Sequence, residues 1–382
     1  MKRKFAISVT SCFCAALLCG CSGNGLTGYE GYGFFDAVMR WAYLPQGEDD
    51  GVWNALKEYA AQTEASLSLS AETSPIARFN AAAAGETVEL DGVSYSALQT
   101  AKAVCERTEG AYNPAIGNLI DLWGFSPRHN SADYSPALPY DRADFKTELP
   151  DPDYIEAFLT LADFSQVNLW ESGGKYYAQK PSVTAEIGGA EYTMQLNLGG
   201  IGKGICADGA AERIAEAGYT AGYFNLGSSS MSVFENPRRK DGLWEIDVKS
   251  PRAELGDYLF TAYEKNAALS SSGDSERFYE IGGVRYGHII NPETGYPVGA
   301  APEEKGDKII YAAVFGLTAA EGDAVSTALV AMGRDRAVTF IRENLAGVRV
   351  YLLWEGKEGC ELLTNAADAA YRLRSDLKVT RI

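Results

Sequence analysis

The sequence predicts an α+β fold in a single large domain, with antiparallel or mixed sheets flanked by helices. Strand-like and helical segments are interspersed without the strict alternation that a doubly wound parallel sheet requires. Tyrosine occurs 22 times, and this residue suits sheets and half-buried surfaces. After the N-terminal segment we find no long apolar run, low-complexity block or repeat, which indicates one domain or two closely joined halves.

The N-terminus has the pattern of a bacterial export signal. Basic residues at positions 2–4 precede an apolar run, Phe5 to Leu18, that is too short to span a bilayer. The next residues, Leu18-Cys19-Gly20-Cys21, resemble a lipobox, so we expect removal of residues 1–20 and lipidation of Cys21. A secretory signal without a lipid is the alternative. Residues 21–33 are predicted to be a flexible tether before a folded domain over residues 34–382.

Charge and cysteine content exclude several classes of function. The net charge of −17 becomes −20 once residues 1–20, with three cations and no acid, are removed. Such a chain is not drawn to nucleic acid or anionic lipid by its own field. After Cys21, only Cys105, Cys206 and Cys360 remain, and their wide spacing implies neither a disulfide framework nor a zinc site. We expect a lipoprotein of the bacterial envelope, on the outer face of the cytoplasmic membrane or in the periplasm.

Periodicity places the individual elements along the chain. Apolar residues at helical spacing predict helices over Gly51–Leu67, Ser96–Thr108, Tyr154–Ala162, Ile205–Ala217 and Ala324–Met332. Alternation and turn residues predict strands within 165–196, including Glu191–Leu198, and then over Gly222–Leu226, Met231–Phe234, Trp244–Val248, Tyr258–Tyr263, Ala267–Ser271 and Lys308–Phe315. Residues 126–153, rich in Pro, Ser and Asp, are predicted to be an exposed excursion, and its His129 is given no role.

A glycine-rich turn, Gly199-Gly200-Ile201-Gly202-Lys203-Gly204, lies between a predicted strand and a predicted helix. Main-chain amides and a helix N-terminus can meet a phosphate at such a turn, and Lys203 adds a positive charge. The spacing matches neither a Walker A loop nor a dinucleotide fingerprint. A tight structural turn is therefore an equal alternative.

Asp323 and Thr327 lie one helical turn apart, so their oxygens can face the same point. Hard oxygen ligands at this spacing suit Mg²⁺, which keeps waters and takes further ligands from substrate phosphate. The alternative is an Asp N-cap with a Thr packed behind it.

His288 is one of only two histidines, and it lies between a short apolar strand and a turn built from Asn291-Pro292, Thr294-Gly295 and Tyr296-Pro297. A loop at the edge of a sheet can present such an imidazole to a substrate. The alternative is an ordinary hydrogen-bonded histidine.

Six segments in this order resemble the ApbE-type FAD:protein FMN transferases, bacterial lipoproteins and periplasmic enzymes that move FMN from FAD to a Thr or Ser hydroxyl. They are Ser74–Asn80, Gly110–Phe125, Leu198–Gly204 with Asp208, Ser271–Asp274, His288–Pro297 and Asp323–Ala328. The resemblance extends from about Phe34 to Leu353 and implies a T-fold-like architecture.

The resemblance also implies a role for each site residue. Asp323, Thr327 and the carbonyl of Gly200 would bind Mg²⁺, and His288 would act as the base for the attacking hydroxyl. The flavin nucleotide would contact Lys203 and a set of residues from four segments: Phe35, Ala111, Tyr112, Asn113, Asn197 and Ile289.

Two positions depart from the family pattern, because Asn113 and Asn197 occupy places where acidic residues are usual. An amide keeps hydrogen bonding but removes a charge. The leading hypothesis is Mg²⁺-dependent transfer of FMN from FAD to an exported or membrane acceptor protein, with release of AMP. An FAD pyrophosphatase that uses water, and a flavin-binding lipoprotein without turnover, are the alternatives.

Overall fold

A nine-stranded sheet forms the centre of the fold in the computed structural model. The structure describes residues 26–45, 51–130, 136–142, 144–302, 304 and 306–382, so the predicted signal peptide and Cys21 lie outside the described residues. Within the described residues, no helix is long and apolar enough to cross a membrane.

The helices are α1 (Val52–Leu67), α2 (Pro75–Ala81), α3 (Gly92–Arg107), α4 (Gly117–Leu122), α5 (Pro152–Leu159), α6 (Gly202–Glu216), α7 (Ala319–Met332) and α8 (Arg334–Asn344). The strands are β1 (Thr27–Phe34), β2 (Ala37–Tyr43), β3 (Thr87–Leu90), β4 (Asn168–Ser172), β5 (Lys175–Gln179), β6 (Thr184–Ile187), β7 (Ala190–Thr193), β8 (Gly222–Leu226), β9 (Ser230–Val233), β10 (Trp244–Lys249), β11 (Tyr258–Glu264), β12 (Ala267–Gly273), β13 (Phe278–Ile281), β14 (Val284–Gly287), β15 (Lys308–Phe315), β16 (Arg349–Gly356), β17 (Gly359–Thr364), β18 (Tyr371–Leu373) and β19 (Lys378–Arg381).

The large sheet has the order β1-β2-β8-β9-β12-β15-β16-β17-β19. Its pairs are antiparallel except for β17 and β19, which are parallel. Smaller sheets are β10-β11-β18, β3-β5-β4, β13-β14 and β6-β7. The predicted α+β class with mixed and antiparallel sheets is confirmed.

The centre of the large sheet is buried on both faces. Along β15 all eight residues are buried; Ile309, Ala312 and Val314 pack in a core with α3, α7 and α8, whereas Ile310 and Ala313 pack in a core with β10 and β11. A strand covered on both faces reads as a continuous apolar run, as this one does. On the helical side of this sheet, α6 and α7 lie side by side and both contact its strands.

Three predictions about non-helical segments were wrong in part. The tether prediction fails from Thr27 onward, because β1 pairs with β2 and Tyr29 stacks on Trp53 of α1 at 5.4 Å between ring centroids. The predicted strand Glu191–Leu198 ends at Thr193, where β7 stops. The predicted excursion 126–153 is not exposed throughout, since Tyr140 and Arg142 are buried within it.

Candidate active site

The glycine turn is held by hydrogen bonds to the two residues that precede it, Asn197 and Leu198. The Asn197 side-chain oxygen accepts from the Gly199 N–H at 2.8 Å, and the Gly202 N–H donates to the Leu198 carbonyl at 2.9 Å. The Asn197 N–H donates to the Pro114 carbonyl at 2.8 Å. The turn is therefore fixed against the Ala111–Pro114 segment, as a site built from both segments requires. Helix α6 begins at Gly202, three residues earlier than predicted.

Helices α6 and α7 bind each other's N-termini through carboxylates. The Asp208 carboxylate of α6 accepts from the Ala319 and Ala320 N–H groups of α7 at 2.7 and 2.8 Å. In return, the Asp323 carboxylate of α7 accepts from the Gly204 N–H of α6 at 3.1 Å. Each acid satisfies main-chain donors that a helix start leaves without partners. This exchange brings the glycine turn to the beginning of α7.

Gly200 packs against Thr327 at this point, one helical turn from Asp323 on α7. A methyl group at Gly200 would lie 3.1 Å from Thr327 Oγ1 and 3.3 Å from a ring carbon of Tyr112. Thr327 Oγ1 donates to the Asp323 main-chain carbonyl at 3.0 Å. The Ser272 hydroxyl oxygen lies 3.0 Å from Thr327 Oγ1. A methyl group at position 200 would therefore be tight against both side chains.

The alternative that Asp323 is an N-cap is wrong. Helix α7 begins at Ala319, five residues before the predicted start, and its N-cap is Thr318, whose hydroxyl accepts from the Glu321 N–H at 3.2 Å. Asp323 lies in the second turn and is only 4% exposed. Burial raises the pKa of its carboxyl to about 7, and the ammonium of Lys203 opposes that rise.

Phe35 and Lys203 bound the turn on the side of the large sheet. The Phe35 ring would lie 3.2 Å from a methyl group at Gly202, and the Phe35 N–H donates to the Glu64 carboxylate at 2.8 Å. The stem of Lys203 lies 3.9 Å from the position of a methyl group at Gly227. Both side chains are therefore placed beside the N-terminus of α6.

His288 follows β14 and is oriented by a main-chain carbonyl. Its Nδ1 lies 3.2 Å from the Arg277 carbonyl oxygen, which also accepts from the His288 N–H at 3.0 Å. Burial lowers the pKa of His288 to about 4, and the positive charges of Arg277 and Lys203 act in the same direction. The imidazole is thus neutral at physiological pH. Ile289 next to it is buried, and its carbonyl accepts from the Val298 N–H at 3.0 Å.

Electrostatic interactions connect the two halves of the site. Lys203 lowers the pKa of both Asp323 and His288, and Glu276 opposes it at both groups. The charge of Lys203 therefore acts on both the predicted metal ligand and the predicted base.

The sequence model of the ApbE family matches residues 36–352. The chain belongs to the ApbE family. Curated relatives of the chain carry the name FAD:protein FMN transferase. The Treponema pallidum protein is 28% identical over 288 residues, which cover 74% of this chain and 71% of the relative. A Klebsiella pneumoniae protein is 24% identical over 323 residues, which cover 84% of this chain and 82% of the relative.

Solved structures agree with this membership. The ApbE protein of Thermotoga maritima superposes with a TM-score of 0.67 at 26% identity, covering 88% of this chain and 96% of that one. The flavin transferase ApbE of Vibrio cholerae gives a TM-score of 0.69 at 19% identity, covering 89% and 96%, which shows the shared fold.

The oxygen donors of this ApbE-family chain fit a hard divalent cation. One Asp323 oxygen is used by Gly204, which leaves the other for a metal, and the lone pairs of the Thr327 hydroxyl remain when its proton is donated. The buried Tyr112 hydroxyl beside them has no hydrogen-bond partner among the described residues. Across those residues no group of three or more His, Cys, Asp or Glu side chains could hold an ion. Further ligands would have to come from water or substrate phosphate.

The side chain of Asn113 is held by hydrogen bonds to the main chain of the protein itself. Its side-chain NH₂ donates to the Ala162 carbonyl at 2.6 Å, and its oxygen accepts from the Ala115 N–H at 2.9 Å. The first contact requires a donor, which a carboxylate lacks. The adjacent Ala111 and Tyr112 are buried. Asn113 therefore shapes the loop that carries Tyr112.

Glu276 and Arg277 contribute to the site although the sequence gives no signal for them. Glu276 and Arg277 lie in the loop between β12 and β13, where no periodicity or motif marks them. Ser272 and Asp208 lie within the family-like motifs, but the sequence assigns them no role. Both are far from α7 along the chain, so their contacts with that helix become visible only in the folded structure.

Proposed function

We propose that this protein transfers FMN from FAD to a Thr or Ser hydroxyl of an exported acceptor protein, releases AMP and requires Mg²⁺. The observation that carries the proposal is the packing of the glycine turn on α7, where Gly200 lies against Thr327 and the Gly204 N–H donates to Asp323, with Lys203 in the first turn of α6. Family membership and the names of the curated relatives support the same reaction class.

His288 has the protonation state that a general base needs. The Arg277 carbonyl can only accept a hydrogen bond, so Nδ1 carries the proton and Nε2 carries the lone pair. Nε2 would take the proton of the acceptor hydroxyl, whose oxygen forms a bond to the FMN phosphorus as the bond from that phosphorus to the AMP oxygen breaks. AMP then leaves with the electron pair of the broken bond.

Positive charge and main-chain amides would stabilise the phosphate oxygens. Lys203 lies in the first turn of α6, where the N-terminus of the helix favours an anion. The residues that would hold the cation are Asp323, Thr327 and the Gly200 carbonyl. When bound, Mg²⁺ would offset negative charge on the pyrophosphate.

We also propose that the protein is anchored in the bacterial envelope by lipid on Cys21. The proposal is supported by the basic, apolar and lipobox-like segments that precede Cys21. The acceptor would be an exported or membrane protein, because it has to meet the enzyme outside the cytoplasm.

The test uses the protein that begins at Ser22, incubated with FAD, Mg²⁺ and a threonine-bearing acceptor peptide. We expect the peptide to gain the mass of one FMN less one water, with one AMP released per peptide. A peptide with valine at that threonine is the control for the nucleophile. Release of AMP without the mass gain would indicate hydrolysis, and bound FAD with neither product would indicate a flavin-binding protein.

The metal assignment has its own variant. Asp323→Ala should abolish both products because it removes the only carboxylate of the proposed ligand set. The matched control is Glu321→Ala, two residues earlier on α7, where the carboxylate lies 3.5 Å from Arg107 at the surface. Transfer by Asp323→Ala at the rate of the control would refute the assignment.

A further inference from the structure

We propose that Arg277 is a positioning residue for His288, with its carbonyl fixing the imidazole and its side chain fixing that carbonyl. The inference rests on the proposed role of His288 as the base. Nothing in the sequence marks Arg277, which lies in the loop between β12 and β13.

The carbonyl of Arg277 accepts from two donors of the same residue. The His288 N–H lies 3.0 Å and Nδ1 lies 3.2 Å from this one oxygen. One contact sets the main chain and the other sets the rotation of the ring. Because a carbonyl cannot donate, the pair also selects the tautomer with its lone pair on Nε2.

The side chain of Arg277 ties this loop to the segment after α4. Its guanidinium donates to the Phe125 carbonyl at 2.6 Å. Two residues after Arg277 and two residues before Phe125, the Tyr279 hydroxyl donates to the Trp123 carbonyl at 3.3 Å. These two contacts hold the loop against the segment after α4, and the charge-assisted hydrogen bond is the stronger of the two.

The aromatic rings on the same two segments support this arrangement. Phe125 stacks on Tyr279 at 5.5 Å between centroids and meets the edge of the His288 ring at 6.4 Å. Displacement of the Phe125 carbonyl from Arg277 would therefore also move a ring that contacts the imidazole.

The charge of Arg277 provides a readout that a purely structural role would not change. The charged groups that act on His288 are Arg277 and Glu276 from the β12–β13 loop and Lys203 from α6, while Phe125 offers only its ring. Burial and then Arg277 hold the pKa of His288 low. Loss of the guanidinium should raise that pKa and move the acidic limb of the pH–rate profile upward.

The experiment compares Arg277→Leu and Arg277→Gln in the protein that begins at Ser22. Arg285→Leu is the control, since Arg285 lies on β14 of the hairpin that follows Arg277 and pairs with Glu280 at the surface. For each protein we would measure FAD affinity by flavin fluorescence, kcat for FMN transfer at saturating FAD across pH, and thermal unfolding.

We expect Arg277→Leu to lower kcat by about ten-fold or more, within the range that a positioned base contributes, and FAD affinity to change little. Arg277→Gln keeps a donor for the Phe125 carbonyl without the charge. It should recover part of kcat and still show the upward shift of the acidic limb, which also tests the inference if the Leu variant fails to fold.

Two results would overturn the inference while the proposed function stands. One is an unchanged kcat in both Arg277 variants alongside a large loss in His288→Ala. The other is a loss that appears only as weaker FAD binding, which would make Arg277 a phosphate contact. Full transfer by His288→Ala would overturn the base assignment and this inference together.

Discussion

Replacement of Gly204 by alanine should separate the N-termini of α6 and α7. A methyl group at this position would lie 2.3 Å from the Ala319 carbonyl oxygen and 2.5 Å from the Ala320 Cα, whereas ordinary contacts begin at 3.4 Å. The helices would have to move apart by about 1 Å, because both obstacles are main chain and cannot rotate away.

The expected loss of stability follows from two contributions. Overpacking of a close contact costs about 1–3 kcal/mol. The same movement lengthens the hydrogen bonds from Ala319 and Ala320 to Asp208, and loss of a helix cap costs about 0.5–2 kcal/mol. We therefore expect Gly204→Ala to lower the free energy of unfolding by about 1.5–5 kcal/mol, measured by urea denaturation.

Gly92→Ala is the matched control, because this glycine also lies in the first turn of a helix, α3. A methyl group there would meet only the Tyr176 ring, at 3.8 Å, so the variant should equal the wild type within about 0.5 kcal/mol or be slightly more stable. If the two variants unfold at the same urea concentration, the close approach of α6 and α7 is not required, and the reasoning fails.

Two further predictions concern buried polar groups. Asn113→Asp should lower the free energy of unfolding by about 1–3 kcal/mol, because a carboxylate would face the Ala162 carbonyl that now accepts from the amide; urea denaturation that matches the wild type would contradict this. Lys180 is buried with its ammonium donating to the carbonyls of Asn80 and Ala82, and burial lowers its pKa from 10.5 to about 8. The unfolded chain thus holds this proton to higher pH, so stability should rise between about pH 8 and 10.5, and Lys180→Met should lose that rise. The same slope in both proteins would show that Lys180 is not its source.

The fold class and most of the central strands could be predicted because they depend on local patterns. The strand Lys308–Phe315 is bounded as predicted, since an apolar run buried on both faces leaves a continuous signal. The start of α7 could not be placed in this way. Thr318 caps it and Asp208, far away in sequence, binds its first N–H groups, so the helix begins five residues early.

Long-range contacts explain the other errors. The glycines of β1 indicate a flexible tether, but stacking of Tyr29 on Trp53 fixes this strand against α1. The polar composition of 126–153 indicated exposure, yet Arg128 bridges Asp121 and Asp141 and draws part of the segment into the fold. The roles that the resemblance implies for the motif residues stay predictions, and Glu276 and Arg277 become visible only through their interaction with the His288 imidazole.

Under the proposed lipid anchor, the early start of β1 would limit how far from the membrane the chemistry can occur. If Cys21 carries the lipid, the five residues from Ser22 to Leu26 reach at most about 18 Å when fully extended. The eight residues of β1 add about 26 Å and end beside Phe35, at the rim of the glycine turn. The reactive hydroxyl of an acceptor would then be modified within about 50 Å of the lipid surface. This short connection favours acceptors that are themselves embedded in or attached to the same membrane. A long spacer inserted before Thr27 should widen the range of acceptors that the enzyme reaches.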